Sequence, residues 1–360
     1  MNSILRRLRL PARCAYVNFL AWTGCLWWAK RQLHKRGAVI TLAFHRVLDD
    51  VAFTRTNSLP GILVRERTFR DLVAYVKRHF EPIRLDDAAP GISSQKTKVI
   101  FTFDDGWRDN YTVVFPIARA YGLPFTVFIC PGVLGQLGPF WPERACCLLR
   151  ALQPSAGRDR IAETIEKLKQ LPANDRTRYL AGLQEQVLRR HAVTQPAMDD
   201  QLLSRFEILE MSKAGVSFGS HTHTHQILTR IPAELAETEL RESKLAIEEL
   251  LGHSCTSLAY PNGDWSDDIK CLAGNLGFRT AVTTNRGAWT PASDNLTIPR
   301  SYMCETSVTG LRGRFSPTMF EYVAFWRAWR ATREFRSGLA RAVRILHLGG
   351  SRKEAQASQG

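Results

Sequence analysis

From residue 38 onward the chain alternates two kinds of segment, and this alternation constrains its fold more than any other feature. Short apolar, β-branched runs stand at 38–44, 98–103, 124–129, 216–219, 257–260 and 279–283. Helix-like patterns separate several of them, at 68–79, 110–121, 232–251 and 266–276. Short strands alternating with helices argue for a parallel α/β architecture, either a barrel or an open sheet. One stretch, 143–209, breaks the rhythm. It reads as consecutive helices rich in Ala, Leu, Arg, Gln and Glu, with polar turns near 153–157 and 171–175, and so as a helical insertion between two strands. A further helical stretch at 317–348 interleaves Phe320, Val323, Trp326, Trp329 and Leu339 with arginines, and the last dozen residues read as a polar, disordered tail.

Charge is placed unevenly. The chain carries a net +15, yet residues 1–36 hold eight Lys/Arg and no acid, and residues 312–360 hold ten Lys/Arg against three acids. The two ends account for the whole excess, leaving 37–311 neutral. A nucleic-acid reader would carry its charge on the folded face, so that class is disfavoured. Basic ends suit an anionic membrane surface better. Near the N-terminus, Arg6, Arg7, Arg9 and Arg13 precede an apolar run at 15–29 that contains Trp22, Trp27 and Trp28. At about 15 residues it falls short of the roughly 20 needed to span a bilayer. Lys30 and Arg31 follow it directly, and no small-x-small cleavage site is evident. The preferred reading is an interfacial helix; an uncleaved anchor or a plain core helix are the alternatives. Eight cysteines without a C-x-x-C pair suggest neither a zinc ribbon nor a disulfide framework, and reduced thiols in a cytosol-facing protein are expected.

Four local motifs carry chemistry, each at the end of an expected strand. Thr102-Phe103-Asp104-Asp105-Gly106 sets two adjacent carboxylates where like charges raise one another's pKa, a cost that a bound cation removes. An Asp-Asp-Gly turn is the plain alternative. Ser220-His221-Thr222-His223-Thr224-His225 offers three imidazoles in five positions; His221 and His225 share a face if the turn is helical. Two imidazoles and a carboxylate make a three-ligand zinc site with an open position for water. No H-E-x-x-H occurs, which argues against a metalloprotease of that type. Ala259-Tyr260-Pro261-Asn262-Gly263 is a turn able to aim a backbone N–H at a developing oxyanion, although it is also simply a good turn sequence. Finally, the strand-like Thr41-Leu42-Ala43-Phe44 ends in His45-Arg46, where His45 is either a general acid or a core histidine.

Together these motifs resemble the polysaccharide deacetylase family of carbohydrate esterases, which includes chitin, peptidoglycan and poly-N-acetylglucosamine deacetylases. The T-F-D-D-G and H-T-x-x-H elements occur in the family's order, and the resemblance covers roughly residues 38–305. It implies a distorted, incomplete (β/α) barrel with its site at the C-terminal ends of the strands. It also implies roles: Asp104 as base, Asp105, His221 and His225 as ligands of a divalent metal such as Zn2+, and the backbone N–H of Asn262 as oxyanion donor. His45 resembles the catalytic acid as the poly-N-acetylglucosamine subgroup places it. Two departures stand out. The family often has an arginine, orienting the base, where this chain has Ala259, and Arg300 in Ile298-Pro299-Arg300-Ser301 is the candidate to replace it. The aromatic that usually precedes the turn glycine is here Asn262, which leaves the N–H in place but changes the platform beneath the acyl methyl. The chain thus divides into a basic N-terminal segment 1–37, a catalytic body 38–311 and a basic C-terminal helix and tail 312–360. The activity implied is metal-assisted removal of N-acetyl groups from a polysaccharide or lipid-linked glycan, and the basic, tryptophan-bearing ends add the expectation of an enzyme peripheral to the cytoplasmic face of the cell membrane. An O-acetyl esterase and a non-catalytic glycan- or lipid-binding protein are the rivals.

Overall fold

The structure is a computed structural model that describes residues 3–92, 94–136, 140–190 and 200–332. Along it run β1 (Val39–Phe44), β2 (Arg46–Leu48), β3 (Leu63–Arg65), β4 (Glu81–Pro82), β5 (Lys98–Phe103), β6 (Thr126–Ile129), β7 (Ser217–Ser220), β8 (Ser257–Ala259), β9 (Thr280–Val282) and β10 (Ser301–Tyr302). One parallel sheet takes the order β10-β1-β5-β6-β7-β8-β9, with the short β4 also paired to β5; β2 and β3 pair apart from it. The sheet curls into a half-barrel, the incomplete (β/α) barrel expected from the sequence. Its register is fixed from Val39↔Lys98 to Phe44↔Phe103 between β1 and β5, and from Thr126↔Ser217 to Ile129↔Ser220 between β6 and β7.

The longer strands β1, β5, β6 and β7 bury both faces, and successive side chains alternate between them. Ile40, Leu42 and Phe44 of β1, with Val99, Phe101 and Phe103 of β5, face the surrounding helices in the main core. Val39, Ile100, Phe128, Ala259 and Val282 point the other way and pack with Trp289 and Ile298 inside the curl. The covering helices include α1 (Ser3–Trp22), α2 (Cys25–Lys35), α3 (Asp50–Arg55), α4 (Glu66–His79), α5 (Phe115–Tyr121), α6 (Trp141–Leu152), α7 (Arg158–Lys169), α8 (Ala173–Arg189), α9 (Arg205–Lys213), α10 (Ala233–Leu251) and α11 (Asp267–Asn275). α4 shows why such segments fold as they do: Phe69, Leu72, Val73 and Val76 recur at helical spacing and are fully buried, while Lys77, Arg78 and His79 occupy its last turn.

Several details differ from the sequence reading. Of the expected insertion, α6, α7 and α8 close around a small core of their own, including Cys146, Leu149, Ile165 and Leu183. α9, in contrast, buries Ile208 and Met211 in the main core and belongs to the barrel. Residues 191–199 of the insertion lie outside the described residues. The apolar run 15–29 is two helices, because Gly24 at φ 76° turns the chain between α1 and α2. α2 buries Ala29 and Leu33 in the main core, and α1 packs Val17 and Leu20 against Met319. The C-terminal stretch is helical from Pro317 through 332, and its Phe320, Ala324 and Phe325 are fully buried in the main core. The rest of that expected helix and tail, 333–360, lies outside the described residues. All eight cysteines are free thiols.

Candidate active site

The C-terminal strand ends deliver most of the chemistry-bearing residues to one cavity of about 740 Å³. Asp104 and Asp105 follow β5, His221 follows β7, Asn262 sits in the turn after β8, and His45 follows β1. The Asp104 N–H still donates to Phe44 O at 2.9 Å, so the β1–β5 ladder holds Asp104 in strand register. Alternation from Thr102 therefore sends its side chain into the curl. Asp105 then breaks from extended geometry at φ 75°.

The base candidate is gripped from across the barrel. Arg300 Nη1 and Nη2 donate to Asp104 Oδ1 and Oδ2, each at 2.7 Å, while Nη1 also reaches Thr102 Oγ1 and Nε donates to Thr283 O. Both partners are almost completely buried. Burial by itself would raise the Asp104 pKa, but the Arg300 guanidinium outweighs it and holds the carboxyl below its ordinary value. Asp104 is thus ionised at neutral pH and held in one orientation. The sequence expectation for Arg300 corresponds to a contact spanning 196 positions.

Asp105, His221 and His225 are brought together, each offering one ligand atom and all three atoms lying within 4.8 Å of one another. Both imidazole Nε2 atoms stand 3.4 Å from Asp105 Oδ1, and that buried oxygen has no hydrogen-bond partner. Asp105 Oδ2 by contrast accepts from Trp107 Nε1 at 2.9 Å. His221 Nδ1 lies 2.7 Å from Ala259 O, which places the proton on Nδ1 and leaves the Nε2 lone pair aimed at Asp105. A buried carboxylate oxygen left without a donor, faced by two imidazole nitrogens, fits a divalent cation with a carboxylate–imidazole preference.

The route to this cluster is not the helical turn that the four-residue spacing suggested. The segment after β7 is irregular, and Thr222 and His225 both adopt left-handed backbone at φ 64°. With Asp105 and Asn262 (φ 59°) these are the non-glycine residues of positive φ among those described, and all four lie in or between the site residues. Such geometry costs of order 1–3 kcal/mol per residue and persists where surrounding structure enforces it. His223 is turned away, its Nε2 3.8 Å from Glu242.

His45 lines the cavity with its ring nitrogens 3.2 and 3.3 Å from the Tyr302 hydroxyl, and its Nε2 is 4.0 Å from Asp105 Oδ2. Burial lowers its pKa despite the raising effect of Asp105 and Asp104, so the resting imidazole is neutral. Asn262 also lines the cavity and is locked by Thr284 Oγ1 donating to its carbonyl.

Sequence reasoning missed four supporting groups. Tyr302 and Trp107 are described above; only the position of Trp107, directly after the Asp-Asp-Gly turn, could have flagged it. Arg46 is wholly buried, with Nε on Asp109 Oδ2 at 2.9 Å, Nη1 on Asp200 Oδ1, and its guanidinium 4.2 Å from the Trp107 ring centroid. It thereby ties β2 and the segment at residue 200 to the ring that holds Asp105. Glu143 of α6 lines the cavity and accepts from Ser58 Oγ at 3.2 Å. Burial first, and the Asp105 charge second, push its pKa up to about 8.

The chain is similar to known proteins in sequence and in fold. Residues 91–144 and 184–281 match the family model described as polysaccharide deacetylase, and the gap between the two spans falls in the α6–α8 insertion. YxkH of Bacillus subtilis (strain 168), whose name places it among polysaccharide deacetylases, is 22% identical over 190 residues, 53% of this chain and 46% of its own length. The chain thus matches about half the length of that curated relative. Among solved structures, the Streptococcus pyogenes deacetylase PplD, in complex with acetate, superposes with a TM-score of 0.52 at 19% identity, covering 78% of this chain and 99% of its own. IcaB from Ammonifex degensii gives 0.53 at 18% identity, with 81% and 97% covered. At such identities the likeness to these structures is one of fold.

Proposed function

This chain belongs to the polysaccharide deacetylase family, and on that premise we propose that it is a metal-dependent hydrolase removing N-acetyl groups from amino sugars of a polysaccharide or lipid-linked glycan. The observation that carries the reading is the pairing of two arrangements in one cavity: an ionised Asp104 fixed by Arg300, beside an Asp105–His221–His225 cluster whose inner oxygen lacks a donor. A glycan-binding module would have no use for an oriented base beside its metal ligands.

Asp105, His221 and His225 would hold a divalent ion, most simply zinc. Such an ion supplies a Lewis acid for the acyl oxygen and lowers the pKa of a water. Asp104, kept ionised and oriented, takes the proton from the attacking water. The Asn262 N–H, presented by its left-handed turn, donates to the oxyanion that develops on the acyl carbonyl. His45 is neutral at rest, so it acts as acid toward the leaving amine only after taking up a proton during the cycle; the Tyr302 hydroxyl fixes its ring meanwhile. The products are acetate and a free amino sugar.

The test is a paired substitution. Asp104→Asn is expected to keep stoichiometric zinc while losing at least about a hundredfold in kcat on N-acetylglucosamine oligomers, and Asp105→Asn to lose the zinc itself. Metal analysis and acetate release on the same samples read both. Zinc loss in Asp104→Asn with retention in Asp105→Asn would reverse the roles. Turnover of O-acetyl but not N-acetyl sugars would make the enzyme an esterase.

We propose further that the enzyme works at a membrane surface, on its cytoplasmic face. Support comes from aromatic residues on the outer faces of α1 and α2, where Phe19, Trp22 and Trp27 are each more than half exposed and Arg31 stacks on Trp27. No helix among the described residues is long and apolar enough to cross a membrane.

A further inference from the structure

The cavity holds more positive charge than the chemistry uses. Lys169, Arg286, Arg300 and Arg327 all line it. Lys169 is paired with Glu166 at 2.8 Å, and both terminal nitrogens of Arg300 are committed to Asp104. Arg286 and Arg327 have no carboxylate within ion-pair distance among the described residues. They come from separate segments, the loop between β9 and β10 and the helix that begins at Pro317, and the Arg286 charge acts on Arg327. A third, Arg13 of α1, adds to the same field and is pinned behind them by Thr306 O at 3.2 Å and Ser307 O at 2.8 Å. Ser307 itself lines the cavity, so α1 buttresses this wall.

Arg327 is half-buried, and both burial and the two neighbouring arginines lower its pKa. Arg286 is exposed, so the cost of bringing like charges together falls on the half-buried Arg327, and an anion that joins the two relieves it. Guanidinium groups match phosphate oxygens in bidentate geometry better than any other side chain. The cavity of about 740 Å³ also has room beyond a single hexose at the catalytic end.

We propose that Arg286 and Arg327, reinforced by Arg13, form an anion subsite that takes a phosphate or diphosphate group carried by the sugar substrate. This deepens the deacetylase reading and rests on it for the identity of the sugar. The substrate class becomes a phosphorylated N-acetyl amino sugar, of which a lipid-diphosphate-linked glycan is one form.

The experiment uses the full-length, zinc-loaded protein and the double variant Arg286→Ala/Arg327→Ala, with Arg286→Lys/Arg327→Lys as charge-retaining control and zinc content matched throughout. Calorimetry with inorganic phosphate is expected to show binding that weakens at least about tenfold in the alanine pair and is partly kept by the lysine pair. In turnover, wild type is expected to favour N-acetylglucosamine 1-phosphate over the neutral N-acetylglucosamine disaccharide by about tenfold in kcat/KM, through KM, and the alanine pair to lose that ratio. Equal phosphate binding by wild type and the alanine pair overturns the subsite, as does a wild type that turns over both sugars without preference. If wild type deacetylates neither sugar, the deacetylase reading falls, and the phosphate titration still decides the subsite. The phosphate of a lipid headgroup is the other source of the same chemistry. Sedimentation with phosphatidylglycerol vesicles that fails only for the alanine pair, while the ratio of sugars is unchanged, would assign the arginines to headgroups and overturn the substrate role.

Discussion

Asp104 and Asp105 are neighbours in sequence, yet one answers to a guanidinium and the other to imidazoles. Alternation carries the Asp104 side chain inward to Arg300, and the left-handed backbone of Asp105 turns its carboxylate toward His221 and His225. Adjacent carboxylates are tolerable here because Arg300 neutralises one and a divalent cation held with His221 and His225 would neutralise the other. The Arg46 charge also reaches Glu143, but burial and the Asp105 charge outweigh it, and this carboxyl behaves differently. Burial raises its pKa from 4.5 to about 8, so the folded protein holds a proton that the unfolded chain releases near 4.5. The stabilisation tied to that proton is fully present below about pH 4.5 and is lost as pH rises toward 8, at up to about 1.4 kcal/mol per unit. Glu143→Gln keeps the neutral shape and has no proton to lose. It is therefore expected to melt several degrees above wild type at pH 8.5 and close to it at pH 4.5. Thermal melts across that range check this; a difference between the two proteins that does not change with pH would mean that Glu143 is ionised throughout.

At the scale of elements, the turn after β8 shows what its sequence hides. Gly263 sits at φ 75°, and a Cβ there would fall 2.1 Å from Thr284 Oγ1 and 2.5 Å from Thr284 N. Gly252, which ends α10 at φ 73°, would meet nothing within 4 Å. Gly252→Ala is thus expected to cost only backbone strain, about 1 kcal/mol, with turnover unchanged, and Gly263→Ala to cost about 1–3 kcal/mol or more and to displace Asn262, lowering kcat. Melting temperature and acetate release read the two effects; equal behaviour of both variants would remove the turn from the catalytic account. Six of the sheet's strands were legible because their apolar runs are buried on both faces. β2 was not, since its first residue is an arginine buried by contacts 63 and 154 positions away, and β10 has only two residues. In the site, Asp104, Asp105, His221 and His225 could be read from local spacing. The left-handed kinks that make His221 and His225 converge could not, because nothing in a Thr or His side chain announces positive φ.

Over the whole molecule, the question is what the two basic ends do around a neutral barrel. The terminal segments are not loose appendages where they are described: α2 buries Ala29 and Leu33 in the main core, and the helix from Pro317 contributes Phe320, Ala324 and Phe325 to it. Their inner faces are therefore committed to the fold, and only their outer faces are free to meet another surface. Those of α1 and α2 present Trp22 at 83% exposure, with Trp27 and Phe19 above 50%, far more aromatic surface than a solvated helix requires. Indoles at a lipid boundary with arginines toward headgroups form an interfacial anchor, and each basic residue near an anionic surface contributes roughly 1 kcal/mol. If this is how the enzyme meets its substrate, Trp22→Ser/Trp27→Ser should keep its melting temperature and its turnover of soluble sugars, because neither ring is in the core. The same variant should lose at least about tenfold in affinity for phosphatidylglycerol liposomes in flotation, and wild type should bind neutral phosphatidylcholine far more weakly. Binding that ignores lipid charge would sink the electrostatic half of the proposal. Binding that survives loss of both indoles would sink the aromatic half, and leave the exposed face of α1 and α2 to a protein partner.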